Sequence, residues 1–313
     1  MVATLTQQKK PRALREGSRI AVVSPSSPVA PEKLDQGLKK LVGLGLDFDI
    51  FPSALDELDY LAGNDEDRAR DLMRAFRDPA YDGVYCTRGG YGAARLFPLL
   101  DFDLMAETKK SFIGFSDITT LHIPLNRRGL VTYYGPMALS FAYDRSDWVL
   151  PSFVSAITGG DPVAPGSPNG STLVSGSAEG VVTGGCLCLI TDSLGTPESI
   201  DLEGKIVLIE DVDEAPHRVD AMLTHLLNAG QLQKAAGIVI SEMTNTDEKE
   251  DTTIGMRSWR EIVKDRIIPL GKPAIVNYPF GHIKGMLTLP LGIRARLDAD
   301  QGTLTYLESA CEG

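Results

Sequence analysis

Short apolar runs alternate with amphipathic helical patterns in the first half of the chain, and this alternation restricts the possible folds more than any other feature. The first run, residues 20–23 (IAVV), has no polar face, which is typical of a strand buried on both sides. The later runs lie at residues 48–51, 83–86, 111–114 and 131–134. Strands that alternate with helices predict a parallel, doubly wound sheet over residues 18–145, preceded by an N-terminal arm at 1–17.

The second half of the chain is less regular and predicts a separate domain. A chain of 313 residues is too long for one small core. Residues 146–176 are rich in glycine, proline and serine, and they predict a linker. Residues 177–313 predict a smaller, mixed α/β domain that ends in a hairpin. The predicted fold is therefore α/β, with two domains of unequal regularity.

Charge and cysteine content exclude several function classes. The 42 acidic residues outnumber the 31 basic ones, and a net charge of -11 provides no basic field for nucleic acid or an anionic membrane. Four cysteines without a CxxC pair predict a reduced, cytoplasmic protein. No window approaches a membrane span, and the first apolar run is too short for a signal peptide. The absence of HExxH or of Cys/His pairs at ligand spacing predicts neither metal nor cofactor.

Residues 111–120 (SFIGFSDITT) carry the clearest chemical pattern. A strand, a tight turn and a helix in succession lift a serine hydroxyl above the sheet, here that of Ser116, while backbone N–H groups at the helix start face the same space. Ser116 and Asp117 could instead merely cap a helix. Residues 88–92 (RGGYG) also lie between a strand and a helix. They fit neither phosphate-binding glycine pattern, but their N–H groups could form half of an oxyanion hole.

The candidate partners of this serine are few, because the chain has only four histidines. His122 lies on the helix that follows Ser116 and is expected to be structural. His282 lies in a glycine-flanked loop and is the better candidate for a base, although it could be a solvated loop residue. Glu210 and Glu242 both end apolar runs, so either could orient that base. Cys86 is a rival nucleophile, but a cysteine at a strand end is more often a buried hydrophobe.

Four segments in order resemble the LD-carboxypeptidase family of serine peptidases, which includes the microcin-immunity peptidases. The segments are residues 85–92 (YCTRGGYG), 113–117 (IGFSD), 208–211 (LIED) and 281–282 (GH) with 288–292 (TLPLG). The resemblance extends from about residue 20 to residue 307. It implies an α/β N-terminal domain that supplies a serine, and a C-terminal domain that supplies a histidine and a glutamate.

Carried over residue by residue, the resemblance implies that Ser116 is the nucleophile, His282 the base and Glu210 the acid that orients it. Because these residues are far apart in sequence, the active site is expected in the cleft between the domains. The resemblance also places oxyanion donors at the backbone N–H of Asp117 and in the turn between Gly89 and Gly90.

Arg88 and Lys284 are the candidates for binding the terminal carboxylate of the substrate. The resemblance implies a small peptide substrate, a muropeptide tetrapeptide that loses D-alanine during cell-wall recycling. The alternative within the family is a microcin-like aminoacyl-nucleotide. Members that act on it are similar in stacking the base on an aromatic residue before the Glu motif, and residues 167–184 contain none. A non-enzymatic two-domain binding module is the alternative from another class, and a homodimer is left open.

Overall fold

The structure, a computed structural model, describes residues 8–249, 253, 255 and 257–313. The strands of this part of the chain are β1 (Arg19–Val23), β2 (Asp47–Ile50), β3 (Gly83–Cys86), β4 (Ser111–Gly114), β5 (Thr132–Tyr134), β6 (Ser171–Val174), β7 (Ser177–Cys186), β8 (Lys205–Val212), β9 (Gly237–Thr244), β10 (Ala274–Val276), β11 (Leu289–Leu291), β12 (Arg294–Asp298) and β13 (Thr303–Tyr306). The helices are α1 (Pro31–Lys39), α2 (Asp65–Arg77), α3 (Phe102–Glu107), α4 (Thr119–Arg127), α5 (Val149–Thr158), α6 (Leu187–Asp192), α7 (Pro216–Asn228), α8 (Gln231–Lys234) and α9 (Trp259–Ile267).

The first sheet has the strand order β11-β5-β4-β3-β1-β2, and its first five strands in sequence are parallel. The predicted doubly wound sheet is therefore confirmed. The strand order changes direction between β1 and β3, and open α/β sheets bind ligands in the crevice at such a point. The loops after these two strands are in contact there, since the backbone N–H of Tyr91 donates to the hydroxyl of Ser27 at 3.1 Å.

The second sheet is mixed, as predicted, with the order β13-β12-β7-β8-β9-β10-β6. Strands β7 to β10 are parallel, and the outer strands pair antiparallel. This sheet has seven strands, one more than the first sheet. Strands β12 and β13 form the terminal hairpin that the sequence predicted, whereas β6 lies within the predicted linker.

The two sheets do not correspond to the two halves of the chain. Strand β11 comes from the C-terminal half but pairs antiparallel with β5 at the edge of the first sheet. Within residues 146–176, predicted as a linker, the structure forms α5 and β6. Phe153 of α5 packs on Tyr85 of β3, with ring centroids 5.9 Å apart. The domain limits stay predictions, but this segment contributes buried side chains rather than only turns.

The N-terminal arm is attached to the body of the protein where the structure describes it. The Lys9 N–H donates to the Gly129 carbonyl at 2.8 Å, and Leu14 is buried. Residues 1–7 of the predicted arm lie outside the described residues. In the described part of the chain, no helix combines the length and the apolar character needed to cross a membrane.

Candidate active site

Ser116 lies at the strand-to-helix turn that the sequence predicted. Strand β4 ends at Gly114, and Ser116 adopts φ +65° at the start of a short 3-10 helix that leads into α4. A non-glycine residue with positive φ is uncommon, and such strain costs about 1–3 kcal/mol. A Cβ at Gly114 would lie 2.8 Å from the Ile118 side chain, so the turn needs a glycine at this position, two residues before Ser116. The sharp turn leaves the Ser116 hydroxyl facing the junction of the two sheets.

The structure brings Ser116, His282 and Glu210 into one hydrogen-bonded chain. Nε2 of His282 lies 3.0 Å from Oγ of Ser116, and Nδ1 lies 2.7 Å from Oε2 of Glu210. Because a carboxylate can only accept, Nδ1 carries the proton and Nε2 is free to accept the serine O–H. This tautomer is the one that can remove a proton from the serine. The catalytic roles of the three residues stay a prediction.

Tyr134 and Gly281 hold the Glu210 carboxylate in place. Glu210 is completely buried, and its Oε1 accepts from the Tyr134 hydroxyl at 2.5 Å. The same tyrosine oxygen accepts the Ser116 N–H at 3.3 Å. A Cβ at Gly281 would lie 2.5 Å from the Glu210 carboxyl carbon, so this glycine allows the His282 loop to approach. The sequence analysis missed Tyr134. The only indication of its role in the sequence is that a residue with a hydroxyl group ends β5, the strand beside β4.

The surroundings of His282 make its imidazole a stronger base. Burial lowers the pKa of His282, but the charge of Glu210 and its hydrogen bond outweigh burial, and the pKa lies above the ordinary value. By contrast, His122 is fully buried between the Thr132 hydroxyl and the Gly114 carbonyl. Burial lowers the pKa of His122 to about 4, so it is neutral at pH 7. His122 is structural, as predicted.

The glycine loop after β3 lies directly over the serine. A Cβ at Gly89 would stand 2.8 Å from Cβ of Ser116 and 3.1 Å from the Asp117 backbone nitrogen. The buried Asp117 carboxylate fixes this arrangement, since it accepts from the Ser26 hydroxyl at 2.6 Å and from the Ala93 N–H at 2.9 Å. The backbone of the glycine loop and the Asp117 N–H are thus close enough to serve one oxyanion.

Replacing Gly89 with alanine is expected to lower kcat/KM about 10²- to 10³-fold, the cost of losing an oxyanion donor. The added methyl would collide with Ser116 and push the loop away from the serine. Gly43→Ala is the matched control, because a Cβ there meets no atom within 4 Å. Steady-state kinetics on a muropeptide would test this, and a Gly89→Ala enzyme as active as the Gly43→Ala enzyme would contradict the placement.

The two candidates for binding a carboxylate differ in position. Arg88 is half-buried and lines a cavity of about 170 Å³ together with Ser116 and His282. Lys284 is exposed, pairs with Asp144 at 2.6 Å and is not among the residues that line this cavity. The structure therefore brings Arg88 to the serine and leaves Lys284 outside.

The two alternatives that the residues left open lie elsewhere. Glu242 is exposed on β9, and its carboxylate is 3.8 Å from Arg260. Cys86 is completely buried, and burial raises the pKa of its thiol well above the ordinary value. A buried, protonated thiol is a poor nucleophile.

Within the residues that the structure describes, one cluster could offer ligands to a metal ion. The sulfurs of Cys186 and Cys188 and a carboxylate oxygen of Asp211 all lie within 4.8 Å of one another. Thiolates and a carboxylate suit zinc or a softer ion. Asp211 already accepts the Cys188 N–H at 2.9 Å, and the Cys188 hydrogen bond together with burial raises the pKa of the Cys186 thiol. The thiols must therefore lose protons before they can bind a metal. Asp211 follows Glu210 in sequence, and its charge contributes to the raised pKa of His282.

Comparisons with known proteins agree along most of the chain. The model of the LD-carboxypeptidase N-terminal domain matches residues 20–135, and that of the C-terminal domain matches residues 179–297. A Streptomyces coelicolor protein named "Putative carboxypeptidase" is 41% identical over 95% of both chains. The "Probable murein peptide carboxypeptidase" of Bacillus subtilis is 34% identical and covers 97% of this chain and 96% of its own.

Two solved structures have the same architecture. Muramoyltetrapeptide carboxypeptidase from Oxalobacter formigenes superposes with a TM-score of 0.79 at 30% identity, covering 92% of this chain and 97% of its own. The microcin C7 self-immunity protein MccF superposes with a TM-score of 0.87, covering 97% of this chain and 100% of its own. At 23% identity, the likeness to MccF supports the fold alone.

Proposed function

Because the chain belongs to the LD-carboxypeptidase family, we propose that it is a serine carboxypeptidase that hydrolyses an L,D-peptide bond in muropeptides. The proposed substrate is a stem tetrapeptide from which terminal D-alanine is released in the cytoplasm, during recycling of peptidoglycan. The observation that carries the proposal is the chain of two hydrogen bonds from Ser116 through His282 to Glu210.

In the proposed mechanism, Oγ of Ser116 attacks the scissile carbonyl while Nε2 of His282 takes the hydroxyl proton. Glu210 holds Nδ1–H and stabilises the imidazolium that forms. The N–H of Asp117 and one N–H of the glycine loop stabilise the oxyanion. His282 then protonates the leaving amine, and a water molecule hydrolyses the acyl-enzyme by the same steps. The residues present need no metal or cofactor for this reaction.

The apolar lining of the cavity and the sequence favour a muropeptide over an aminoacyl-nucleotide. The cavity beside Ser116 measures about 170 Å³, and Phe115, Met137 and Leu139 give it apolar walls. A terminal residue with a methyl side chain suits such a space better than a nucleotide. Residues 167–184 also lack an aromatic side chain on which a base could stack. Relatives named for murein peptides, in Bacillus subtilis and Pseudomonas aeruginosa, support the same substrate class.

The expected outcome with a pair of tetrapeptide epimers tests this function. We expect release of terminal D-alanine and at least about 100-fold slower release of L-alanine, since an L-centre after the scissile bond would turn the methyl away from its pocket and misplace the carboxylate. Mass spectrometry of the products, with initial rates for both epimers, measures the ratio.

Equal rates for the two epimers would refute the L,D-specific function even if the serine proved essential. Hydrolysis of an aminoacyl-nucleotide with no release of alanine from either epimer would favour the microcin-like alternative. A fluorophosphonate probe separates both from a binding module, because only an activated serine becomes labelled.

A further inference from the structure

Two guanidinium groups line the small cavity beside Ser116. Arg88 reaches it from the loop after β3, and Arg145 reaches it from the segment before α5. Both residues are half-buried. The remaining lining residues are mostly apolar or small, and they include Phe115, Met137 and Leu139. The cavity thus combines positive charge with walls that suit a small apolar side chain.

Neither guanidinium is neutralised within the protein. Among the residues that the structure describes, no carboxylate forms an ion pair with Arg88 or Arg145, although the chain has an excess of acidic residues. Arg145 donates only to carbonyls, from Nε to Ser140 at 2.8 Å and from Nη1 to Ile283 at 3.0 Å. Nε of Arg88 is buried and has no hydrogen-bond partner in the described part of the chain.

This arrangement is costly unless an anion enters the cavity. Burial lowers the pKa of Arg145, yet an arginine stays protonated in a protein, so its charge remains. Carbonyls accept hydrogen bonds from both groups, including one from Nη1 of Arg88 to Pro28 at 3.2 Å, but a carbonyl carries no net charge to balance a half-buried cation. Each guanidinium can donate two parallel N–H groups to the two oxygens of a carboxylate.

We infer that Arg88 and Arg145 together bind the free carboxylate of the substrate's terminal residue. This inference rests on the proposed function and identifies the subsite for the leaving residue. Ser116 and His282 line the same cavity, so a terminal residue held there has its scissile bond next to the nucleophile and its amine next to the proton donor. The apolar walls receive the methyl of a D-alanine residue.

The inference replaces Lys284 with Arg145. Lys284 pairs with Asp144 and lies outside the cavity. Arg145 belongs to no motif, and only the fold brings it near His282. Arg145 and Lys284 therefore offer a matched test, because Arg145 lines the cavity and Lys284 does not.

The experiment compares a tetrapeptide with a free terminal carboxylate and the same peptide with a terminal amide. The native enzyme should prefer the free acid at least about 100-fold in kcat/KM, because the amide leaves both charges unpaired. In Arg145→Gln, kcat/KM for the acid should fall about 100-fold, while that for the amide changes less than about threefold. Lys284→Gln should keep the native preference.

The ratio of the two rates separates binding from a structural role. Arg145 also bonds the carbonyl of Ile283, next to the base, so a purely structural role would slow the acid and the amide equally. An unchanged acid-to-amide ratio in Arg145→Gln would overturn the inference and leave the proposed function standing. A native enzyme that hydrolyses neither peptide would instead overturn the proposed function.

A second variant keeps the test decisive if Arg145→Gln does not fold. Arg145→Lys retains the charge but cannot form a planar fork with the carboxylate. Its acid-to-amide ratio should fall between those of the native enzyme and the Gln variant, about 10-fold below the native value. A native ratio in this variant would count against the inference.

Discussion

Ser116→Ala is expected to lower the rate of peptide hydrolysis by about 10⁴- to 10⁶-fold, while the free energy of unfolding changes by less than about 1 kcal/mol. In the proposed mechanism the hydroxyl supplies the electron pair that attacks the substrate, and Nε2 of His282 lies 3.0 Å from this hydroxyl oxygen. The fold should persist, because the half-buried serine makes little packing contact and alanine can occupy the same turn with similar strain. Single-turnover kinetics and urea unfolding measure the two effects.

Ser171→Ala is a suitable control for this experiment. Ser171 is an exposed serine of β6 in the other sheet and lines no part of the site. The Ser171→Ala variant should retain native activity. A folded Ser116→Ala protein that still hydrolyses muropeptides at more than about 1% of the native rate would remove Ser116 as the nucleophile.

Glu210→Gln is expected to lower kcat about 10³- to 10⁴-fold, as loss of the orienting charge does in other triads. Both carboxylate oxygens of Glu210 accept hydrogen bonds, one from Tyr134 and one from Nδ1 of His282. An amide offers one oxygen and one NH₂ group, so one of these donors would face another donor. The imidazole then loses either its tautomer or its orientation. The loss of stability should be smaller, about 1–3 kcal/mol.

Glu242→Gln is the matched control, since both glutamates end apolar runs and only one is buried beside His282. It should leave kcat within about twofold of the native value. Steady-state kinetics of both variants at pH 7, with thermal unfolding as a check of folding, measure the difference. If Glu242→Gln were the damaging change, Glu210 would not be the orienting acid.

The sequence predicted what depends on local pattern. Alternating strands and helices predicted the first sheet, and the turn at Ser116 followed from a glycine and a short apolar run. The choice between Glu210 and Glu242 could not be made from periodicity, since both end strand-like runs. The resemblance alone favoured Glu210. In the structure, Glu210 lies opposite Cys186 of β7 and bonds to His282.

What the sequence could not predict depends on contacts between distant residues. Tyr134 reaches Glu210 from another sheet, and Arg145 reaches Ile283 from the other half of the chain. Strand β11 has three residues, one of them Pro290, and such a segment has no recognisable period. Tertiary packing alone gives these residues their roles.

Strand β11 lies in the C-terminal half of the chain but completes the first sheet, so this sheet cannot be finished until late in synthesis. Strand β5 carries Tyr134, and one of its edges is covered only by β11. At about 5–20 residues per second, the ribosome delivers β11 on the order of ten seconds after β5. During that interval the edge of β5 presents unpaired N–H and C=O groups to any other nascent strand. The first sheet can therefore be completed only late in synthesis, when β11 becomes available to pair with β5.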